Sequence, residues 1–337
     1  MSKSLFLWLW LCSFCIPGMA QKVHANVVHN RQVKLMGVRF ELAAIAEDSL
    51  KAKQAVDAAI SEITRIEKLI SSWDPHSQTS AINQMAGIQP VKVSDELFAL
   101  IRRSLKISRL TQGAFDISFA SLDKVWRFDG SMTTLPSPEE VAASVAKVGY
   151  ENIMLNEEDT SVFLKLQGMK IGFGAIGKGY AANRAKAVML NLGIENGLVN
   201  AGGDLLCWGK QENGTPWQIG IADPAEKTKI FSWLQVHDMA VVTSGNYEKS
   251  VMIDGQHYTH IIDPRTGYPV QGVKSVTIVC PDAELADGLA TAVFVLGEQG
   301  GLHLINQLKG IECLIVNDNN ELIPSENLEL NLYRQNN

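Results

Sequence analysis

The spacing of apolar positions divides the chain into alternating helical and extended stretches. Val56, Ile60, Ile63, Ile66 and Ile70 recur every three or four residues, which predicts an amphipathic helix ending near Trp73. Ahead of it, Leu35 to Ile45 (LMGVRFELAAI) reads as a first strand, preceded by a short N-terminal segment over 21–32. SSWDPHSQTSAINQ follows as a polar loop, and Ser94 is placed to cap a second helix from Asp95 to about Leu110, with Gly113 as its stop. Ser137, Pro138 and Glu140 have the order of a capping box with proline at the first helical place, and that helix is expected to end at Gly149. VFLKL and MKI read as a hairpin. Ala181, Ala185, Val188 and Leu192 form a further helical row, with Gly193 as a left-handed stop.

Beyond it, GLVNAGGDLLCWG, WQIGIADP, SVTIVC and IECLIV read as strands, and Asp254–Gly255 between VMI and HYTHII predicts a tight hairpin. Leu285, Leu289, Ala292 and Leu296 mark one helix, and Leu302, Ile305 and Leu308 a separate closing one. Strands that come in hairpins interrupted by helices predict an α+β fold rather than a doubly wound parallel sheet. No internal repeat or low-complexity linker divides the chain.

Composition adds bounds to this pattern. The 337 residues are 46% hydrophobic, enough to bury a large core. The net charge of −6 and the lack of a long basic run speak against nucleic acid as a partner. Lys3, an apolar run from Leu5 to Ile16 and then Pro17, Gly18, Met19 and Ala20 have the order of a signal peptide over 1–20, which predicts export. Its removal takes basic residues from 30 to 29 against 36 acids, for a net charge of −7. Cys207, Cys280 and Cys313 each lie in an apolar run without CxxC spacing and read as core residues.

The chemistry centres on Ile171 to Arg184, IGFGAIGKGYAANR, where four glycines and Lys178 precede a helical row. Glycine lets the backbone turn sharply and approach an anion, and a helix N-terminus adds partial positive charge. Three readings compete. GFGAIG fits GxGxxG, but no acidic residue follows at the end of a second strand as a dinucleotide site requires. GFGAIGKG fits most of a phosphate loop, but Gly179 stands where that loop needs Ser or Thr for magnesium. The third reading is a packing turn.

Asp287 and Thr291 lie one helical turn apart and share a face near a helix start, a sparse oxygen pair suited to magnesium; the plainer role of Asp287 is to complement the helix terminus. His260, at a strand end before Asp263–Pro264, is a candidate proton acceptor; His257, three residues earlier, falls on the other face of a strand. Trp73 and Phe115 stand beside loops and could cover a flat ring, although core packing is the ordinary role of each. Asp116 could bond a heterocycle edge or cap a turn.

Taken in order, MGVRFEL, GAFDIS, GAIGKGYA, NAGGDLL, TSGNYEKS, THIIDPRTGYP and ADGLAT resemble the ApbE family, the FAD:protein FMN transferases, over residues 33 to 317. The resemblance implies one ApbE-like, T-fold-related α+β domain over 33–330, with mixed sheets and packed helices. It also implies an exported, magnesium-dependent enzyme of the bacterial periplasm, or the periplasmic face of the inner membrane. Such an enzyme splits FAD, joins FMN to a Thr or Ser of an acceptor protein, and releases AMP; the acceptor would be a subunit of a membrane redox complex. Carried over by position, Met36, Trp73, Ala114, Phe115, Asp116, Gly172, Lys178 and Ile261 would contact FAD. Asp287, Thr291 and the Ala175 carbonyl would hold magnesium, and His260 is the candidate base. Gly172 and Asn183 stand where many members carry Asp, and the first removes a carboxylate from the cofactor's surroundings. Two other readings remain: an FAD pyrophosphatase that uses water as acceptor, and an exported FAD carrier without turnover.

Overall fold

An eight-stranded antiparallel sheet organises the chain. The computed structural model describes residues 26–222, 230–246, 250–329 and 331–332; the predicted signal peptide lies outside them. In chain order the elements begin with β1 (Val27–Leu35), β2 (Val38–Ala46), α1 (Ser49–Ile70), α2 (Gln78–Gln84), β3 (Val91–Lys92) and α3 (Asp95–Leu110). A 3-10 turn at Ile117–Ser121, α4 (Pro138–Val145), β4 (Ile153–Asn156), β5 (Ser161–Leu164) and α5 (Gly177–Asn191) follow. Then come β6 (Asn196–Ala201), β7 (Asp204–Trp208), β8 (Trp217–Ala222), β9 (Ile230–Val236), β10 (Ala240–Gly245), β11 (Ser250–Ile253) and β12 (Gln256–Thr259). The last are β13 (Val273–Cys280), α6 (Ala283–Ile305), β14 (Glu312–Asn317), β15 (Leu322–Pro324) and β16 (Asn331–Leu332).

The large sheet runs β1-β2-β6-β7-β10-β13-β14-β15. One face carries the helices: α1 packs on β1, β2 and α5, and α6 packs on β10, β13 and α5. The reason is visible in α1, which buries Ala52, Ala55, Val56, Ala59, Ile63, Ile66 and Ile70 along one stripe and is capped by the Asp48 side chain. The other face carries β8 and β9, where Ile219, Ile221, Leu234 and Val236 pack with Cys207, Val241 and Leu314. Cys207, Cys280 and Cys313 are buried as expected, and burial raises their thiols to about 11, 11 and 12. A buried carboxylate pins α6 to α3: Arg103 donates to both oxygens of Glu284 at 2.7 and 2.9 Å.

The α+β expectation holds, and every strand pairing in the large sheet is antiparallel. A parallel βαβ unit around the glycine stretch is therefore excluded. Several local expectations change. The stretch read as one strand from Leu35 is a hairpin, turning at Met36 and Gly37 with φ of 49° and 78° and pairing back from Val27. The polar loop after α1 contains the short helix α2, capped by Ser77. MKI is not a strand; the hairpin is β4 and β5, and β3 joins them. The helix after Ser137 has its capping box but ends at Val145, before Gly149. The two closing helices are found as expected: α6 holds both, separated by a kink at Gly297, whose φ of 72° and ψ of −173° are not helical.

Candidate active site

Two helices begin against each other over one end of the sheet. Gly179, in the first turn of α5, faces the start of α6 so closely that a Cβ there would lie 2.0 Å from the Ala283 carbonyl oxygen. Its amide donates to Asp287 Oδ2 at 3.0 Å. Asn183, one turn further along α5, donates to Asp282 Oδ1 at 3.0 Å and accepts from the Ala283 amide at 3.1 Å. Asp282 in turn caps α6 through the Leu285 amide. Asn183 is thus explained where the family resemblance pointed to Asp: an aspartate has no donor for Asp282 and would repel it.

The glycine stretch divides into two tasks. Gly177 and Gly179 allow packing, since a Cβ on Gly177 would press Ile70 at 2.8 Å. At Gly174 a Cβ would face open space, with nothing within 4 Å, whereas a Cβ on Gly172 would lie 3.1 Å from the Ala120 methyl. An Asp at 172 would have to push Ala120 aside.

Beside this junction lies a cleft of about 450 Å³. Its walls include Gly172, Gly174, Ala175 and Lys178 from the glycine stretch, Asp287 and Thr291 from α6, and Ala114, Phe115 and Asp116 before the 3-10 turn. Trp73, His260 and Ile261 complete the expected set. Met36 is the exception and does not line the cleft. It sits in the β1–β2 turn, its amide donates to Glu67 at 2.9 Å, and its side chain packs beside Gly177. The strained turn and the Glu67 bond hold it behind the glycine stretch.

The two aromatics differ. Phe115 is fully buried in the wall, whereas Trp73 is 85% exposed, with Lys124 Nζ 5.5 Å from its ring centroid. Core packing therefore fails as an account of Trp73, an open ring at the cleft. Asp116 both lines the cleft and caps: its oxygens accept from the amides of Ser118 and Tyr150, each at 2.7 Å. Burial raises its carboxyl against the pull of these bonds.

His260 is half-buried and follows β12, whereas His257 on that strand is exposed. The loop after His260 is fixed by its own chemistry. Gly267 at φ 79° returns its amide to the Asp263 carbonyl at 2.8 Å, and Arg265 pairs with the Asp263 carboxylate at 2.7 Å. Trp126 donates to the Gly267 carbonyl at 2.9 Å and stacks on Tyr258 at 5.5 Å, anchoring hairpin β11–β12.

The electrostatic centre is Lys178 between two buried carboxylates. Its ammonium pairs with Asp204 Oδ2 and reaches Asp287 Oδ1 at 3.3 Å. Burial opposes the ammonium, but Asp287 and Asp204 outweigh it and raise its pKa above the ordinary lysine value. Burial, and then the Asp287 charge, push the Asp204 carboxyl upward against the pull of Lys178. Two buried carboxylates against one ammonium leave an excess of negative charge beside Thr291 and Ala175. That all-oxygen, sparsely charged set fits a hard cation that keeps most of its waters. Among the described residues no three His, Cys, Asp or Glu side chains cluster as a ligand set for a softer metal.

Sequence reasoning did not single out Asp204, Phe119 or Thr243 to Gly245, all of which line the cleft. The NAGGD stretch did carry a signal, because Gly202 and Gly203 need φ of 69° and 112° and so mark the β6–β7 turn. That the next residue faces Lys178 depends on sheet order.

The site is thus a glycine-edged, carboxylate-bearing cleft where two helix starts meet over an antiparallel sheet, an architecture outside the parallel-sheet nucleotide folds. The ApbE family model matches residues 36–315, and the chain belongs to that family. It is similar to an FAD:protein FMN transferase of Klebsiella pneumoniae (strain 342), 32% identical over 302 residues, which cover 89% of this chain and 92% of that protein. The solved ApbE protein of Thermotoga maritima superposes with a TM-score of 0.81 at 32% identity, over 89% of this chain and 97% of that one. The flavin transferase ApbE from Vibrio cholerae gives 0.78 at 26% identity, over 89% and 98%.

Proposed function

We propose that this chain is an FAD:protein FMN transferase. The observation that carries the reading is the convergence in one cleft of the glycine edge Gly172–Lys178, the pair Asp287 and Thr291, and His260. FAD enters with its diphosphate along the glycine edge, where backbone without side chains permits close approach. The open Trp73 ring and the Phe115 wall offer faces for flat rings. A Thr or Ser hydroxyl of the acceptor protein attacks the FMN-side phosphorus, forming an O–P bond as the bond to the AMP-side oxygen breaks. AMP leaves, and the hydroxyl proton passes to His260.

Asp287, Thr291 and the Ala175 carbonyl are the groups that would hold magnesium. When bound, that ion supplies charge neutralisation at the diphosphate. The Gly179 amide orients the Asp287 carboxylate for this role. With no carboxylate at Gly172 and the Asp116 oxygens already engaged, the flavin side of the site relies on the backbone of the glycine edge.

The leader over 1–20 supports export, and with it an acceptor on the far side of the inner membrane, for example a subunit of a membrane redox complex. The mature N-terminus, read by mass spectrometry of secreted material, tests the leader.

The central experiment incubates purified protein with FAD and magnesium, with and without an acceptor domain bearing a candidate Thr or Ser segment. An FMN mass adduct on the acceptor, with AMP released only when acceptor is present, is the expected result. AMP formed equally without acceptor identifies a pyrophosphatase, and tight FAD binding with no AMP identifies a carrier. A His260→Ala protein transferring FMN at the wild-type rate removes that residue as base.

A further inference from the structure

We propose that Asp204 is a positioning residue that holds the Lys178 ammonium and thereby keeps Asp287 available to a divalent cation. The inference rests on the metal reading of the cleft given above. Asp204 is a fixed point: it opens β7 directly after the Gly202–Gly203 turn, is only 4% exposed, and accepts from the Thr243 amide on neighbouring β10 at 3.4 Å. Lys178 reaches it from the first turn of α5, and its ammonium lies nearer to Asp204 than to Asp287 Oδ1 at 3.3 Å.

Asp287 has one oxygen already committed, since Oδ2 accepts from the Gly179 amide. Its Oδ1 is therefore the oxygen over which an ammonium and a metal ion compete. With Asp204 present, the lysine has a second anion close by, and the cluster keeps one negative charge in excess. With Asp204 neutralised, Asp287 is the one buried carboxylate partner left to the ammonium among the described residues. A carboxylate neutralised by an ammonium at contact distance is a poor ligand for a second cation. Asp116, the other carboxylate lining the cleft, does not substitute, because its oxygens accept from Ser118 and Tyr150.

The test is Mn²⁺ binding to purified, flavin-free protein, followed by the electron paramagnetic resonance signal of free Mn²⁺. Asp204→Asn is expected to weaken binding about tenfold or more, the scale of a lost outer-shell partner. Asp204→Glu, which retains the charge, is expected to bind more tightly than Asp204→Asn. Lys178→Met binds at least as tightly as the wild type, and the double variant Lys178→Met, Asp204→Asn recovers most of the loss. Wild-type affinity in Asp204→Asn, or a double variant as weak as Asp204→Asn, overturns the inference. Should Asp204→Asn fail to fold, Lys178→Met decides alone, because weaker Mn²⁺ binding there contradicts competition by the lysine. A wild-type protein that binds no Mn²⁺ overturns the metal reading itself, which is a different result from binding that is indifferent to Asp204.

Discussion

The amide of Gly179 donates to the Asp287 carboxylate at 3.0 Å, tying the first turn of α5 to α6. The contact exists because Gly179 lacks a Cβ, which would sit 2.0 Å from the Ala283 carbonyl oxygen. Gly179→Ala forces the two helices apart and is expected to cost about 3 kcal/mol in urea unfolding. Gly174→Ala meets nothing within 4 Å and is expected to leave stability within about 0.5 kcal/mol of wild type. Because Gly174 borders the cleft, the added methyl is expected to weaken FAD binding about tenfold, or about 1.4 kcal/mol, read by flavin fluorescence titration.

Trp73 separates binding from stability in the opposite way. Its ring is 85% exposed, so Trp73→Ala removes little packing and leaves the urea midpoint nearly unchanged. If the ring stacks on a bound heterocycle, the same change lowers FAD affinity by about 1–3 kcal/mol. Trp73→Phe, which keeps a flat ring, recovers most of that loss.

Asn183 makes a prediction about charge. Asn183→Asp removes the donor to Asp282 and places two carboxylates at the start of α6. The expected cost is about 1–3 kcal/mol of stability, and the double variant Asn183→Asp, Asp282→Asn restores a donor–acceptor pair. Thermal unfolding of the four proteins in this cycle measures the coupling.

Acid stability should depend on Glu96. Arg65 donates to both of its oxygens, at 2.7 and 2.8 Å, and Tyr180 donates at 2.6 Å. The Arg65 hydrogen bonds, against burial and with help from Tyr180, depress its carboxyl from 4.5 to about 2. A depressed carboxylate stabilises the folded state fully above its unfolded value of 4.5 and loses that contribution as pH falls toward about 2. Glu96→Gln is therefore expected to lower the urea midpoint at pH 7 and to flatten its decline across that acid window.

What the sequence revealed follows from the range of the interactions involved. α1 was legible from its local stripe, and α3 from its Ser94 cap as well, whereas the Asp48 cap that starts α1 was not read from the sequence. The β11–β12 turn was legible because Asp254–Gly255 is a pair that accepts positive φ readily. The β1–β2 turn was not, because Met36 gives no turn signal although it adopts φ 49°. In the site, Asp287 and Thr291 were legible from one helical turn of spacing. Asp204 was not, since its partner Lys178 is reached only after β6 and β7 have paired and α5 has docked on the sheet.

The register of the large sheet also sets an order of assembly. Phe40 pairs with Ala201, so β2 waits for β6 before it gains its inner neighbour, and the cleft waits longer still, for Thr291. Sheets closed by such distant partners fold slowly, because chain entropy is lost before contacts repay it. A nascent chain stopped short of α6 would carry the glycine edge and Asp204 but neither Asp287 nor Thr291, so the cleft is complete only with about the last sixth of synthesis.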